Sequence, residues 1–309
     1  MISIVSLTEL EKKIKKDKIT SCLIQHEDSL VLQYYKNNKM KDKQHKVNSV
    51  TKSVLAILIG IAIDRGELEG VHQPIADFFP DLTDGQKQLT LEHLLTMTPG
   101  FDWPEFTSWG GRPMPMINSR DWVRFILERP MVEAPGESMH YNSGCSHLLS
   151  AILQKAAGKT LTEFADSYLF KPLGIKNYTW YSDAKGIVIG GFGLSLKADD
   201  MLKIGQLMLQ EGTRNGRMIV SKDWVKESTL PRFHTYNKIG SYGYHWWILT
   251  DENHQPAQPS AFFAMGYGGQ YICVVPEYQL IVTFTSDLYN DPFKPLQYCK
   301  DIIGCHHRG

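Results

Sequence analysis

The sequence predicts an α/β (α+β) fold, in which an antiparallel sheet formed by both termini is flanked by helices and an inserted lobe is mostly helical. Strand-like runs occur near both ends of the 309-residue chain, at 20–35 and 260–287, and helical patterns fill the middle. Strands at hairpin spacing pair antiparallel, and helices inserted between them form their own layer. We therefore expect residues 1–70 and 181–309 to form an α/β domain and 71–180 the helical lobe.

The first elements are a basic surface helix and a hairpin. Lysines alternate with apolar residues in EKKIKKDKI, which is typical of the polar face of a short helix. In TSCLIQHEDSLVLQYY, two apolar runs flank the turn-like pair Glu27-Asp28. These patterns predict a helix followed by two paired strands.

An unusually apolar helix comes next. The run VLAILIGIAI, residues 54–63, contains no charge and is followed by Asp64, Arg65 and Gly66. Ten residues are too few to cross a bilayer, and a glycine after the last turn is a common helix end. The pattern predicts a buried helix that ends near Gly66.

The predicted lobe contains four helical segments and one long loop. The helical segments read LEHLLTM, SRDWVRFILE, SHLLSAILQKAAG and LTEFADSYLF. Between the first two, GFDWPEFTSWGGRPMPM is rich in Gly, Pro and Trp. Long loops in compact enzymes often line sites, so we expect this loop near a ligand.

The last third of the chain returns to strands. An amphipathic helix over 198–212 precedes three strand-like runs, SAFFAMG, QYICVV and LIVTFTSD, and the chain closes with the helical pattern LQYCKDIIGC. These runs complete the sheet that the first hairpin begins.

Composition excludes several classes of function. Lys+Arg and Asp+Glu both number 33, so nothing indicates a nucleic-acid or membrane partner. The five cysteines are odd in number and widely spaced, which predicts neither a disulfide framework nor a metal site, and no cofactor motif is present. The amino terminus lacks the regions of a signal peptide, so we expect a cytoplasmic protein.

Chemistry is indicated by Ser49 and Lys52 at the start of the apolar helix. Residues three apart lie on one helix face, so the amine would lie beside the hydroxyl. Burial and the positive helix end lower a lysine pKa, and a neutral lysine can take the proton of a serine nucleophile. The alternative is an ordinary helix cap with Lys52 reaching to water. A second copy of this spacing, Ser182 to Lys185, opens no helical pattern and is interpreted as a loop without a catalytic role.

Two further stretches favour the catalytic interpretation. Tyr141 and Ser143 stand just before a helix, and a tyrosine near a lysine can pass protons to a leaving group. In FFAMGYGGQYICVVPE, a strand ends in glycines that allow a ligand to approach the backbone closely. The alternatives are a core tyrosine and a simple glycine-rich turn.

Together these stretches resemble the serine hydrolase family of class C β-lactamases, penicillin-binding D-Ala-D-Ala carboxypeptidases and related esterases. The resemblance covers nearly the whole chain, in the order SxxK, tyrosine motif, C-terminal strand. It implies that Ser49 is the acylated nucleophile, Lys52 its proton acceptor and Tyr141 the motif tyrosine. The motif is YxN in many members, and here Ser143 replaces the asparagine. A literal YxN at Tyr35 precedes the nucleophile and is set aside.

The third family motif, KTG or HxG, corresponds to Ala264-Met265-Gly266. The resemblance implies an oxyanion hole formed by the backbone N–H groups of Ser49 and Tyr267. The motif glycine, Gly266, is kept and the cation is lost. Because that cation would help to bind a substrate carboxylate, we expect a small uncharged acyl group.

We therefore predict a serine hydrolase that cleaves an ester or amide of a small molecule through an acyl-enzyme. Ser143, Gly266 and Trp103 are candidate substrate-binding residues, although core packing explains a tryptophan equally well. The YxS motif resembles relatives that cleave linear nylon oligomers. Two alternatives stay open: a class C-type β-lactamase or D-Ala-D-Ala carboxypeptidase, and a non-catalytic penicillin-binding-like module.

Overall fold

A computed structural model describes residues 4–236, 239–251, 253 and 255–306. Its helices are α1 (Ile4–Lys16), α2 (Asn38–Asp42), α3 (Val50–Asp64), α4 (Leu91–Leu95), α5 (Met114–Ile117), α6 (Trp122–Leu127), α7 (Ser143–Ala157), α8 (Leu161–Ala165), α9 (Lys171–Leu173), α10 (Ala198–Leu209), α11 (Lys222–Ser228) and α12 (Lys294–His306). A π-helical turn, Asp166–Phe170, joins α8 to α9.

The strands are β1 (Ile19–His26), β2 (Ser29–Tyr35), β3 (His45–Lys46), β4 (Thr179–Trp180), β5 (Leu194–Leu196), β6 (Thr213–Arg214), β7 (Arg217–Met218), β8 (Phe233–His234), β9 (Ser241–Tyr242), β10 (Trp247–Ile248), β11 (Phe262–Gly266), β12 (Gln270–Val275) and β13 (Leu280–Ser286). Eight of them form one sheet in the order β2-β1-β13-β12-β11-β10-β9-β8.

The large sheet joins the two ends of the chain, which confirms the predicted fold class. Every neighbouring pair in it is antiparallel, and β1 lies between its hairpin partner β2 and the last strand, β13. The predicted hairpin has its turn at Glu27-Asp28, where His26 pairs with Ser29. The three predicted C-terminal strands are β11, β12 and β13.

Helices cover both faces of this sheet, and for this reason its central strands are buried on both sides. On one face, Ile14 of α1 and Ile302 of α12 belong to the same core as Cys273 and Phe284. On the other face, α10 lies so close that a side chain at Gly205 would come within 2.6 Å of Ile281. The two layers fix the strands that border the site.

The apolar helix α3 forms the centre of the molecule. Thirteen of its fifteen residues are buried, and Gly66 just beyond its end has φ +75°, as the predicted glycine end requires. Trp224 of α11 packs where a side chain at Gly60 would stand and donates its indole N–H to Ala56 O at 3.1 Å. This packing holds the middle of α3 against α11.

Short strands depart from the sequence expectation. The stretch 242–248 is divided between β9 and β10 by a turn in which His245 has φ +57°. A small sheet, β3-β5-β4, was not predicted, because strands of two or three residues leave no periodic pattern. The boundaries of the two predicted domains stay a prediction.

Candidate active site

Ser49 lies at the cap position that precedes α3, and its side chain makes no capping hydrogen bond. The residue before it, Asn48, has φ +49°, an uncommon conformation outside glycine. The Asn48 amide donates to the carbonyl oxygen of Tyr267 at 2.6 Å. The hydroxyl therefore does not cap the helix, and the turn before it is tied to the end of β11.

Lys52 follows one helical turn later and lies beside Ser49. Its Nζ is 3.2 Å from Ser49 Oγ, 3.1 Å from Ser143 Oγ and 2.7 Å from Gly191 O. Only 1% of the lysine is exposed. Burial lowers its pKa to about 8, although the negative charge of Glu105 acts in the opposite direction. The alternative interpretation, a lysine that reaches out to water, is excluded.

Tyr141 completes the predicted set. Its ring centroid is 4.8 Å from Lys52 Nζ, and the Phe106 ring stacks on it with a centroid distance of 4.8 Å. Burial and the charge of Glu105 raise the pKa of the phenol well above its ordinary value, while a hydrogen bond with Ser49 opposes the rise. The phenol is thus a neutral proton donor next to the hydroxyl. The catalytic roles of Ser49, Lys52 and Tyr141 stay predictions.

Ser143 lies behind Lys52 and outside the cavity wall. It is the first residue of α7, whose start is capped by Asn142 Oδ1. The Ser143 hydroxyl donates to Glu105 Oε1 at 2.7 Å, and its backbone N–H donates to Glu105 Oε2 at 2.8 Å. Ser143 therefore connects Lys52 to a buried carboxylate, and direct contact with substrate stays an untested prediction.

Glu105 is the residue that sequence reasoning missed. It comes from the long loop expected to line a site, and only 3% of it is exposed. The one available signal was an acidic residue within an aromatic, proline-containing loop, WPEF. Trp103, predicted to bind substrate, is buried beside it and donates its indole N–H to Glu105 Oε2 at 2.8 Å. The tryptophan is not among the cavity-lining residues.

Two glycines allow backbone segments to meet at the site. A side chain at Gly266 would stand 2.2 Å from Val47 O, so only glycine lets the end of β11 approach the segment before Ser49. A side chain at Gly191 would stand 3.4 Å from Lys52 Nζ and 3.0 Å from Ser143 O. Gly266 and Tyr267 line the cavity, whereas Ala264 is fully buried, and substrate binding by Gly266 stays a prediction. The proposed oxyanion hole stays a prediction.

A cavity of about 1090 Å³ opens above Ser49. Aromatic and aliphatic side chains dominate its walls, and several stay exposed: Phe106, Tyr236, Tyr267 and Phe293 are 40–49% exposed. Charged residues from three elements also reach it: Glu105, Arg112, Asp291, Lys294 and Lys300. The arrangement suits a largely apolar small molecule.

Two other kinds of site are absent from the part of the chain that the structure describes. In this part of the chain, no helix is long and apolar enough to cross a membrane. Nor does it contain a group of three or more His, Cys, Asp or Glu residues placed to hold a metal ion.

An antiparallel sheet with a buried Ser-x-x-Lys helix beside a tyrosine defines the class of penicillin-binding-protein-like and β-lactamase-like hydrolases. The chain belongs to the Beta-lactamase family, whose family model matches residues 22–295.

Among curated relatives, the 6-aminohexanoate-dimer hydrolase of Paenarthrobacter ureafaciens is 25% identical over 272 residues, which is 80% of this chain and 68% of that protein. Among solved structures, EstCE1, a hydrolase with promiscuous acyltransferase activity, has a TM-score of 0.77 and 16% identity over 96% of this chain and 95% of that one. The octameric penicillin-binding protein homologue of Pyrococcus abyssi has a TM-score of 0.73 and 18% identity over 96% and 76%.

Proposed function

We propose that the protein is a serine hydrolase that cleaves an ester or amide bond of a small molecule through an acyl-enzyme. The observation that carries the proposal is the 3.2 Å contact between Lys52 Nζ and Ser49 Oγ, made by an amine that is buried and easily deprotonated. A base must lie within hydrogen-bond reach of the proton that it removes, and its pKa must lie near the working pH.

Each step of the proposed reaction is assigned to a group of the site. Ser49 Oγ attacks the acyl carbon while its proton passes to Lys52, and the backbone N–H groups of Ser49 and Tyr267 stabilise the oxyanion. Tyr141 then donates its proton to the leaving alcohol or amine as the bond to it breaks, and Lys52 passes the proton that it took from Ser49 to Tyr141. Water attacks the acyl-enzyme while its proton passes to Lys52. The bond from the acyl carbon to Ser49 Oγ then breaks, Lys52 returns the proton to Ser49, and the acid is released.

The cavity supports a largely apolar acyl or leaving group. Its exposed aromatic rings would otherwise remain in water, and such patches often mark binding sites. The name of the curated relative indicates that its substrate is a dimer of 6-aminohexanoate. A short-chain ester or a linear amide of this kind is therefore our first candidate substrate.

A fluorophosphonate probe and a panel of p-nitrophenyl esters and anilides test this proposal. We expect the probe to label Ser49, and we expect Ser49→Ala to lose labelling and about 10⁴-fold or more of kcat/KM, as for other serine nucleophiles. Ser182→Ala removes the serine of the second SxxK copy, and this variant should retain both the labelling of Ser49 and the wild-type kcat/KM. A wild-type protein that is neither labelled nor active would favour a non-catalytic module.

One observation favours a second candidate, a β-lactamase or D-Ala-D-Ala carboxypeptidase. Arg112 lines the cavity, with its guanidinium 5.7 Å from the Tyr267 ring centroid, so a cation is present although the third motif lacks one. Nitrocefin turnover or release of D-Ala from a D-Ala-D-Ala peptide, lost in both Ser49→Ala and Arg112→Gln, would support this candidate. Turnover of neutral esters alone would exclude it.

A further inference from the structure

The contacts behind Lys52 form a continuous chain of polar groups. Lys52 Nζ contacts Ser143 Oγ at 3.1 Å, and the same hydroxyl donates to Glu105 Oε1 at 2.7 Å. Lys52 and Ser143 lie on different helices, and Glu105 lies on the loop before α5. Three separate parts of the chain thus meet at one buried line of hydrogen bonds.

Glu105 is arranged as a negatively charged group. Its two oxygens accept from three donors: the hydroxyl and the backbone N–H of Ser143, and the indole N–H of Trp103. An ionised carboxylate is acceptor-only, and burying one is expensive unless a cation or several donors compensate. The carboxylate is 3% exposed, so its compensation must come from these neighbours and from Lys52.

We propose that Glu105 is the counter-ion of Lys52 and, through Ser143, the positioning residue that sets the protonation and the placement of this base. The proposal rests on the proposed function, in which Lys52 takes the proton of Ser49. It also assigns Ser143 a role as a bridge between base and carboxylate.

The other titratable groups that face Lys52 are neutral over the relevant pH range. Burial, together with the charge of Lys52, lowers the pKa of His245 to about 3. Burial raises the pKa of the Cys145 thiol and of the Tyr141 and Tyr242 phenols, and Glu105 adds to each rise. Among the described groups around this lysine, Glu105 therefore supplies the opposing charge.

The direct test is the pH dependence of kcat/KM in Glu105→Gln. Glutamine can still accept from Trp103 and from the Ser143 N–H, so the shape is kept while the charge is lost. In the wild type, kcat/KM should rise with pH as Lys52 loses its proton around its pKa of about 8. An opposite charge at this range shifts a pKa by about 1–3 units, so in Glu105→Gln the rise should move to lower pH by about that much.

Two variants separate charge from shape. Ser143→Ala removes the bridge and keeps the carboxylate, so we expect a lower kcat/KM with a much smaller shift of the pH profile. Glu128→Gln makes the same chemical change at an exposed glutamate that pairs with Arg124 at 2.6 Å, and it should match the wild type. A Glu105→Gln profile that keeps the wild-type pH dependence would overturn the proposal.

A second readout does not need activity. A lysine whose pKa is lower in the folded state than in the unfolded state lowers the free energy of unfolding. This penalty is fully present below the folded-state pKa and disappears as pH rises to the unfolded-state pKa. Removing Glu105 enlarges the penalty. We expect the Tm deficit of Glu105→Gln relative to wild type to be larger at about pH 6.5 than at about pH 9.5.

An equal deficit at both pH values would contradict the counter-ion role. If no variant shows Ser49-dependent turnover, the hydrolase proposal fails while the Tm measurement still decides the role of Glu105. The two failures are therefore distinguishable.

Discussion

The chain contains the spacing Ser-x-x-Lys twice, and the two copies differ in everything except spacing. Lys52 is 1% exposed and lies 3.2 Å from Ser49 Oγ, whereas 59% of the Lys185 side chain is exposed and its Nζ lies 4.0 Å from Asp121 Oδ2. Ser182 belongs to a surface turn closed by the bond from Asp183 N to Ile187 O. Burial thus lowers the pKa of Lys52, whereas the amine of Lys185 remains in water.

The largest expected difference between the copies follows from removing each amine. Lys52→Met keeps the length of the side chain and removes the base, so we expect kcat/KM for a p-nitrophenyl ester to fall about 10²–10⁴-fold. Lys185→Met should leave it unchanged. Comparable losses in both variants would show that burial does not distinguish the two copies.

A smaller difference is expected from one added methyl group. In Gly266→Ala the new carbon would stand 2.2 Å from Val47 O, so the end of β11 must move away from Ser49. Loss of an oxyanion donor costs about 10²–10³ in kcat, which single-turnover acylation of Ser49 would measure.

The matched control for this change lies in the second copy. A side chain at Gly186 would meet open space, although its φ of +84° makes alanine strained by about 1–2 kcal/mol. Gly186→Ala should therefore lower Tm slightly and leave acylation intact. An unimpaired Gly266→Ala would contradict the close approach described above.

The smallest expected effect concerns Asp183, which holds the turn of the second SxxK copy, Ser182 to Lys185. Asp183 accepts from the buried His147 Nε2 at 3.0 Å and from the backbone N–H groups of Lys185 and Ile187. Asp183→Asn weakens these bonds, so we expect a loss of about 1–3 kcal/mol in the free energy of unfolding, measured by urea titration, with kcat/KM retained. Asp84→Asn, at an exposed aspartate, should leave the urea midpoint unchanged. A loss of turnover in Asp183→Asn would indicate that this turn supports the site after all.

Local patterns account for what the sequence predicted correctly. The hairpin at Glu27-Asp28, the helix end at Gly66 and the proximity of Ser49 and Lys52 each depend on residues that are neighbours in the chain. The antiparallel sheet followed from strands at hairpin spacing. Such features are determined within one or two turns of backbone, where spacing specifies geometry.

Features that depend on residues far apart in the sequence were harder to predict. Glu105 reaches Ser143, 38 positions away, and no periodicity indicates that meeting. For the same reason the sequence did not indicate that Trp103 and Ser143 both donate hydrogen bonds to Glu105, and their contact with substrate stays a prediction. The roles of the site residues remain predictions that the variants above address.

The sheet order has a consequence for how this protein is made. Thr20 and Thr285, whose hydroxyl oxygens lie 2.7 Å apart, are separated by 265 positions. During synthesis the β1–β2 hairpin therefore leaves the ribosome long before β13 has been made, and one edge of β1 stays unpaired until then. The end of β11, which lies against the segment before Ser49, is synthesised almost as late. The surroundings of Ser49 are therefore complete only after β11 has been synthesised.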